Sequence, residues 1–360
     1  MKKSLLALAV LGAFAGAASA QSSVTLYGTI DLSAKYVKND GSDRRYSLSQ
    51  DGINSSQLGF RGVEDLGGGL KASFVLLGGV NADSGTMSDA SSGKFFNRRS
   101  TLSLSGNFGE IRLGRDYTPT FWNNTIFDAF GTNGLGDSSH VLQLPTATFV
   151  RADNSIQYFL PTMGGLYGQI MAAAAENGAS KFGSGQTQNV NPGRYVGGRI
   201  GYAAGPFDVA IAYGEQKYGA GNPANVNIIG TLDSQKTFNI GGAYDFGVFK
   251  LMGYYDRDEV GDLHENRYSI SGVIPLGQGE FHIGYDYSKA SGDGFDNKVD
   301  QIAATYVYNL SKRTALYGTA SRVSNGDSSA NSVASGSAQT AAPTFGGKST
   351  GFELGVRHFF

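Results

Sequence analysis

"GFELGVRHFF" closes the chain at residues 351–360, and its reading decides the fold. Successive side chains of an extended segment point to opposite sides. Phe352, Leu354, Val356, His358 and Phe360 therefore share one face, and Glu353, Gly355, Arg357 and Phe359 the other. A half-apolar strand kept to the last residue needs a backbone partner. The pattern predicts that it pairs with the first strand, so that the sheet has no free edge.

The opposite end supplies the reason. "MKKSLLALAVLGAFAGAASA" (1–20) has two lysines, an apolar run from Leu5 to Ala18, and small residues Ala18, Ser19 and Ala20 in an A-x-A arrangement. That is the pattern of a secretory signal peptide cleaved after Ala20. The run is too short for a spanning helix, which needs roughly 20 apolar residues. Residues 1–20 thus read as signal peptide and 21–360 as one β-barrel. No later segment has the continuous apolarity of a transmembrane helix. The 29 basic residues less Lys2 and Lys3 leave 27 against 30 acidic ones, a net charge of −3. That near balance gives no basis for a nucleic-acid partner. With no cysteine, disulfides do not hold the chain together.

Period-two alternation runs through most of the chain and implies strands with two chemically different faces. "VTLYGTIDLSAKY" sets Val24, Leu26, Ile30, Leu32 and Tyr36 against Tyr27, Asp31, Ser33 and Lys35. "TFNIGGAYDF" sets Phe238, Ile240, Gly242, Tyr244 and Phe246 against Asn239, Gly241, Ala243 and Asp245. Sixteen such segments are read at 24–37, 54–65, 69–80, 95–106, 109–116, 153–160, 166–176 and 193–204, then 207–217, 234–246, 248–258, 264–276, 280–289, 298–309, 313–323 and 349–360. The composition of 53 Gly, 22 Phe and 19 Tyr against one Trp and 8 Pro fits a barrel of short strands.

Tight turns such as "DLGGG" (65–69), "AGP" (204–206) and "LGQG" (276–279) alternate with longer polar loops, the longest at 117–152 and 324–348. Short turns at one end, long loops at the other and an even strand number predict an all-β, transmembrane, 16-stranded antiparallel barrel with both termini on the short-turn, periplasmic side. Only a closed barrel satisfies strand edges in hydrocarbon. Phe360 is then expected in the aromatic girdle at the membrane boundary.

Several stretches extend this reading: "SSVTLYGTIDLSAKY" (22–36), "SQLGFRGVEDLGGGLKASF" (56–74), "FNRRSTLSLSGNFGEIRLGRDYTP" (96–119), "RADNSIQYFLPTMGGL" (151–166), "LSKRTALYG" (310–318) and the terminal "GVRHFF". In this order they resemble the general diffusion porins of Gram-negative bacteria, most closely the β-proteobacterial group. The resemblance implies a homotrimer in the outer membrane, seated among its lipid and lipopolysaccharide, with one aqueous pore per subunit for ions and small hydrophilic solutes. It implies a constriction loop after the fifth strand, folded into the pore, and wall arginines facing acidic loop residues. It makes Arg61 in "GFRG", Arg98 in "FNRR" and Arg151 in "VRADNSI" the wall arginines. Asp128 in "FDAFG" becomes the counter-charge, and Phe360 the C-terminal assembly signal. Two departures stand out. Val75 and Leu77 occupy positions where the family often carries Gln and Glu, which predicts a less polar wall there. "RRST" also puts Arg98 and Arg99 on opposite faces; the resemblance favours Arg98, and alternation leaves both open.

Charged residues lining a wide aqueous pore concentrate counter-ions and so set its selectivity. Arg61 lies on the polar face of its strand, opposite Leu58 and Phe60. Tyr27, Asp31, Lys35, Asp116 and Asp137 are further pore-lining candidates. The arginines predict a mild anion preference, with Asp116, Asp128 and Asp137 as the opposing charges. Two other readings compete: a substrate-specific channel with a track of pore-facing aromatics, of which Tyr27 is one, and a barrel adhesin or enzyme.

The enzymatic motifs fail on context. "GKSTG" (347–351) matches a nucleophile pattern around Ser349 but lies between a loop and the last strand, not at a strand-to-helix turn. It is no phosphate loop either, since Ala342 stands where a Gly is required. His140, His264, His282 and His358 show no zinc-site spacing, so no metal or cofactor is expected. "DGFDNKVD" (293–300) reads as a solvated external loop.

Overall fold

The computed structural model describes residues 23–88, 93–144, 150–175, 194–217, 234–292, 294–334 and 341–360. The expected signal peptide lies outside them. Among the described residues eighteen strands form: β1 (Ser23–Asn39), β2 (Arg45–Gln50), β3 (Gln57–Gly67), β4 (Leu70–Asn81), β5 (Thr86–Met87), β6 (Arg99–Gly106), β7 (Gly109–Tyr117), β8 (Arg151–Phe159) and β9 (Leu166–Ala173). They continue with β10 (Tyr195–Ala204), β11 (Phe207–Lys217), β12 (Ser234–Asp245), β13 (Lys250–Val260), β14 (Leu263–Leu276), β15 (Gly279–Gly292), β16 (Phe295–Asn309), β17 (Thr314–Asn325) and β18 (Lys348–Phe359).

Sixteen of these positions make the wall. β3 pairs with Ser23–Thr29 of β1 and β2 with Leu32–Val37, so the two are pieces of one wall strand interrupted at residues 51–56. Among the described residues β5 pairs only with Val80 and Asn81 at the end of β4. All wall pairings are antiparallel, and the sheet closes on itself. Thr29 through Asn39 of β1 face Phe359 through Ser349 of β18. Gly28 and Phe360 then exchange both backbone hydrogen bonds, each at 3.1 Å. The chain keeps its strand to the last residue because that residue completes the zip.

The patterning is the inverse of a soluble protein's, as lipid outside and water inside require. On β18, Phe352 and Leu354 are 51% and 73% exposed on the outer surface, while Glu353 between them is 2% exposed inside. Short turns join β3 to β4, β6 to β7, β10 to β11 and β14 to β15 as expected. The loop end departs from expectation twice. β13–β14 and β15–β16 are joined by two residues each, 261–262 and 293–294. "DGFDNKVD" is therefore mostly strand β16 rather than an external loop, with Asp296 ion-paired to Lys289 at 3.3 Å. β6 begins at Arg99, four residues later than alternation suggests, because residues 93–98 pack against the end of β4, where Asn97 Oδ1 accepts from the Gly79 N–H at 2.9 Å.

Between β7 and β8 the ladder is irregular. Gly114 has φ +120° and Asn154 φ +50°, and β8 carries one more residue than β7 across the shift. Such a bulge bends a strand, and here it lies below the 33-residue connection that turns into the barrel. That connection begins with helix α1 (Pro119–Ile126) and continues through single 3₁₀ turns at Gly134–Gly136 and Ser138–Val141.

The closure generates a prediction. A side chain at Gly28 would meet the Phe360 ring and approach the Gln57 carbonyl to 2.6 Å. Gly28→Leu should cost about 1–3 kcal/mol of overpacking, read as a lower urea midpoint for barrel unfolding in detergent. An unchanged midpoint would show that the close packing of Phe360 on Gly28 contributes nothing to closure.

Candidate functional site

The inserted loop is bound to one half of the barrel interior. Thr118 caps α1, its hydroxyl accepting from the Phe121 N–H at 3.3 Å, and Pro119 occupies the first helical position, where no N–H is needed. Asn123 and Asn124 project from α1 toward the wall. Asn123 Nδ2 donates to Ala210 O (3.1 Å) and Asn239 Oδ1 (3.0 Å), and Asn124 Nδ2 donates to Asp256 (3.0 Å). Arg199 donates to Asn123 from the same side. Phe127, fully buried, fills the space above Gly241, where any side chain would collide with its ring.

Beyond the helix the loop follows the wall. The Ala129 N–H donates to Ser271 (2.9 Å), and the Gln143 and Leu144 amides donate to the Glu265 carboxylate (3.1 and 2.9 Å). Gln301 donates to Leu135 O at 2.8 Å. The segment after β17 folds in from above, where Asn331 Nδ2 donates to His140 O and Leu142 O, both at 2.7 Å. Behind the loop, buried Arg267 pairs with Asp256 and Asp258.

The other half, along β2–β4 and β6–β8, stays open and is rich in arginine. A cavity of about 620 Å³ lies between α1 and this wall, lined by Arg98, Arg115 and Arg151 with Tyr117, Trp122 and Asp137 among others. Arg115 pairs with Asp153 at 2.7 Å and Arg98 with Asp51 at 3.6 Å. Arg151 has no carboxylate partner among the described residues. Its Nη2 donates to the Tyr117 hydroxyl at 3.1 Å, and its guanidinium lies 4.5 Å over the Tyr117 ring. A hollow of about 250 Å³ adjoins this cavity through Ser55, Asn133 and Asp137 and reaches Lys35, Asp51 and His140.

The expected residues divide between these settings. Arg98 and Arg151 reach the cavity together. Arg61 lies on the inner face of β3, exposed, with its guanidinium 5.2 Å over the half-buried Tyr27 ring. Both members of the arginine pair turn inward. Arg99 shares the inner face of β6 with Thr101 and Ser103 and binds Asp116 at 2.8 Å, while Arg98, just before the strand, lines the cavity. Asp116 is fully buried, held also by Arg112 at 2.6 Å. Asp31 is buried too and accepts from the Gly52, Ile53 and Asn54 amides (3.2, 3.0 and 2.8 Å), pinning residues 51–56 rather than facing water. Lys35 pairs with Glu353 at 3.4 Å.

Asp128 requires correction as the lumen counter-charge. It is 6% exposed, and its carboxylate is turned into the loop, accepting from Phe130 N (2.9 Å), Thr132 N (3.4 Å) and Ser138 Oγ (3.0 Å). Burial, reinforced by Asp137 nearby, pushes its pKa up to about 6. Asp137 is the loop carboxylate at the cavity. Sequence reading missed Arg112, Arg115 and Tyr117, although "GEIRLGRDYTP" spells them out, because the bulge below them upsets simple alternation. Val75 and Leu77 do face the lumen. Leu77 lies across from Gly59 and Arg99 in the ladder, an apolar patch between Arg61 and Arg99.

A family model described as Gram-negative porin matches residues 7–328. The outer membrane porin protein 32 of Delftia acidovorans is 39% identical over 371 residues, covering 100% of both chains. The solved anion-selective porin from Comamonas acidovorans is 36% identical with a TM-score of 0.80, covering 94% of this chain and 100% of that one. A trimer form of OmpT from Vibrio cholerae, at 14% identity and a TM-score of 0.63 over 94% of this chain and 99% of its own, shares the fold. These matches run along the barrel from strand to strand rather than through one motif. The chain therefore belongs to the Gram-negative porin family and forms a channel across the outer membrane.

Proposed function

We propose that the channel is a passive diffusion pore for ions and small hydrophilic solutes, selective for anions, and assembled as a homotrimer from a precursor cleaved after Ala20. One observation carries the selectivity: Arg151 faces the 620 Å³ cavity with an aromatic ring for a neighbour and no carboxylate. Arg98, with Asp51 at the longer distance of 3.6 Å, adds to it. The carboxylates on the loop half are largely withdrawn, since Asp256, Asp258 and Glu265 are each 0% exposed and gathered around Arg267. Asp137 is the one carboxylate among the residues lining this cavity, Asp153 and Asp51 are engaged by Arg115 and Arg98, and the charge that Arg151 keeps raises the local anion concentration. The anion-selective porin from Comamonas acidovorans, similar over nearly its whole length, supports the same sign. The trimer form of OmpT supports the assembly at the level of the fold.

Arg61, Arg98 and Arg151 replaced together by Gln should lower the anion-to-cation permeability ratio about tenfold, with Arg151→Gln giving the largest single step. Zero-current potentials in a KCl gradient across planar bilayers measure it. The wild-type preference should also fall between 0.1 M and 1 M salt, as the screening length drops from about 10 Å to about 3 Å. A ratio insensitive to both changes would remove these arginines from the filter.

Asp128 adds a pH dependence. Its pKa in the folded loop, about 6, lies above the ordinary carboxyl value. Its contribution to loop seating is therefore fully present below about pH 4, with the carboxyl protonated, and is lost as pH rises through 6. Open-channel current noise should grow from pH 5 to pH 8, and Asp128→Asn should flatten that rise. An identical noise profile in the variant would exclude the role.

A further inference from the structure

Trp122 is the one tryptophan of the chain. In a membrane barrel an indole ordinarily belongs to the outer aromatic girdle. This one stands on the inserted helix, on the side away from the Asn123 and Asn124 anchors, and lines the cavity that holds Arg98, Arg115 and Arg151. It is half-buried, and its indole N–H has no partner among the described residues. Its ring lies 5.3 Å from the Tyr117 ring at 57°, and Tyr117 stacks on Phe121 at 5.5 Å and 11°. Over this aromatic shelf lies the Arg151 guanidinium, 4.5 Å from the Tyr117 ring centre, and Arg98 and Arg115 line the same cavity. The Nε–H groups of Arg98 and Arg151 are buried and also lack partners among the described residues.

A small inorganic anion uses only the charge of such a site. A carboxylate attached to an aromatic ring uses both parts: its oxygens accept from the guanidinium donors, and its ring offers a quadrupole and a flat apolar face to the indole. Resting on the anion-selective reading above, we propose that the cavity between α1 and β6–β8 is a binding subsite for aromatic carboxylates, with Trp122 as the residue that distinguishes them from aliphatic acids. The channel then passes chloride by diffusion but holds aryl acids long enough to be blocked by them.

The test uses the purified full-length channel in planar bilayers in KCl, with sodium benzoate and sodium cyclohexanecarboxylate as probes. The two share charge and ring size, and the cyclohexyl acid is the more apolar, so simple hydrophobic partition favours it over benzoate. The subsite predicts the reverse. Benzoate should halve the chloride current at about one fifth of the cyclohexanecarboxylate concentration. Trp122→Leu should bring the two within about twofold, and Trp122→Phe should keep most of the difference. Equal block of the wild-type channel, or a benzoate preference that survives Trp122→Leu, would overturn the subsite. The KCl reversal potential on the same wild-type channels separates the two levels. Anion selectivity with equal block sinks the subsite alone, whereas cation selectivity sinks the underlying reading.

Discussion

Hydrocarbon offers no hydrogen-bond partner, so every backbone N–H and C=O that crosses it must be answered within the sheet. In this chain the constraint is met by a single closing seam, β1 against β18, sealed by the reciprocal pair of hydrogen bonds between Gly28 and Phe360. The rest is a consequence. A closed wall with lipid outside puts its apolar residues on the outer surface, and alternation then turns every second residue inward, most of them polar. An interior lined with so many polar and charged groups gains apolar clusters where the inserted loop meets it, as at Leu135 and Val141 against Val37, Val299 and Val323.

The inserted loop resolves that excess unequally. Over half of the circumference it supplies partners: asparagine amides on α1, backbone amides for Glu265, and a ring that fits over Gly241. Ion pairs taken out of water are stable only when their remaining hydrogen-bonding capacity is also met. Asp258 meets that condition, bonded by Gln235 and Thr237 as well as paired with Arg267. Over the other half the loop stands clear of the wall. The charge there remains in contact with water, and it is the half that carries Arg61, Arg98, Arg115 and Arg151. The asymmetry of the pore is thus an asymmetry of which residues the loop covers.

Most of the barrel was legible because period-two patterning is a local property: strand number, closure and the inward direction of Arg61 all follow from it. What escaped depended on local breaks in that period. The extra residue at Asn154 inverts face assignment on β8, so alternation carried back from Ser155 misplaces its neighbours. Arg98 and Arg99 looked like alternatives because a strand can present only one of two consecutive residues inward. Arg98 precedes β6 and is free of that rule, so both enter the lumen. Asp128 reads as a lumen charge through the resemblance of "FDAFG" to the family's acidic loop segment. Its role is set by the amides of Phe130 and Thr132 two and four residues on, a loop geometry that a residue pattern does not encode. The short strand β2 was missed for the same reason, since its register is imposed by β1 across the interruption at 51–56.

Two of the open arginines, Arg61 and Arg151, have a tyrosine ring and no acid as neighbour among the described residues, and the same ring contact recurs at the acid-paired Arg99 and at Arg199 behind the loop. Arg61 lies over Tyr27 at 5.2 Å, Arg151 and Arg99 over Tyr117 at 4.5 and 5.7 Å, and Arg199 over Tyr167 at 4.7 Å. A guanidinium left unsupported in a narrow lumen collapses onto the nearest carboxylate and loses its outward field. A ring face attracts it by about 0.5–2 kcal/mol, enough to favour one extended position, while contributing no net charge. Tyrosine therefore holds the cation in place without neutralising it, which a carboxylate cannot do. By that logic the number of arginines in the constriction matters less to its potential than how many of them rest on rings instead of acids, and Arg151 is the clearest case.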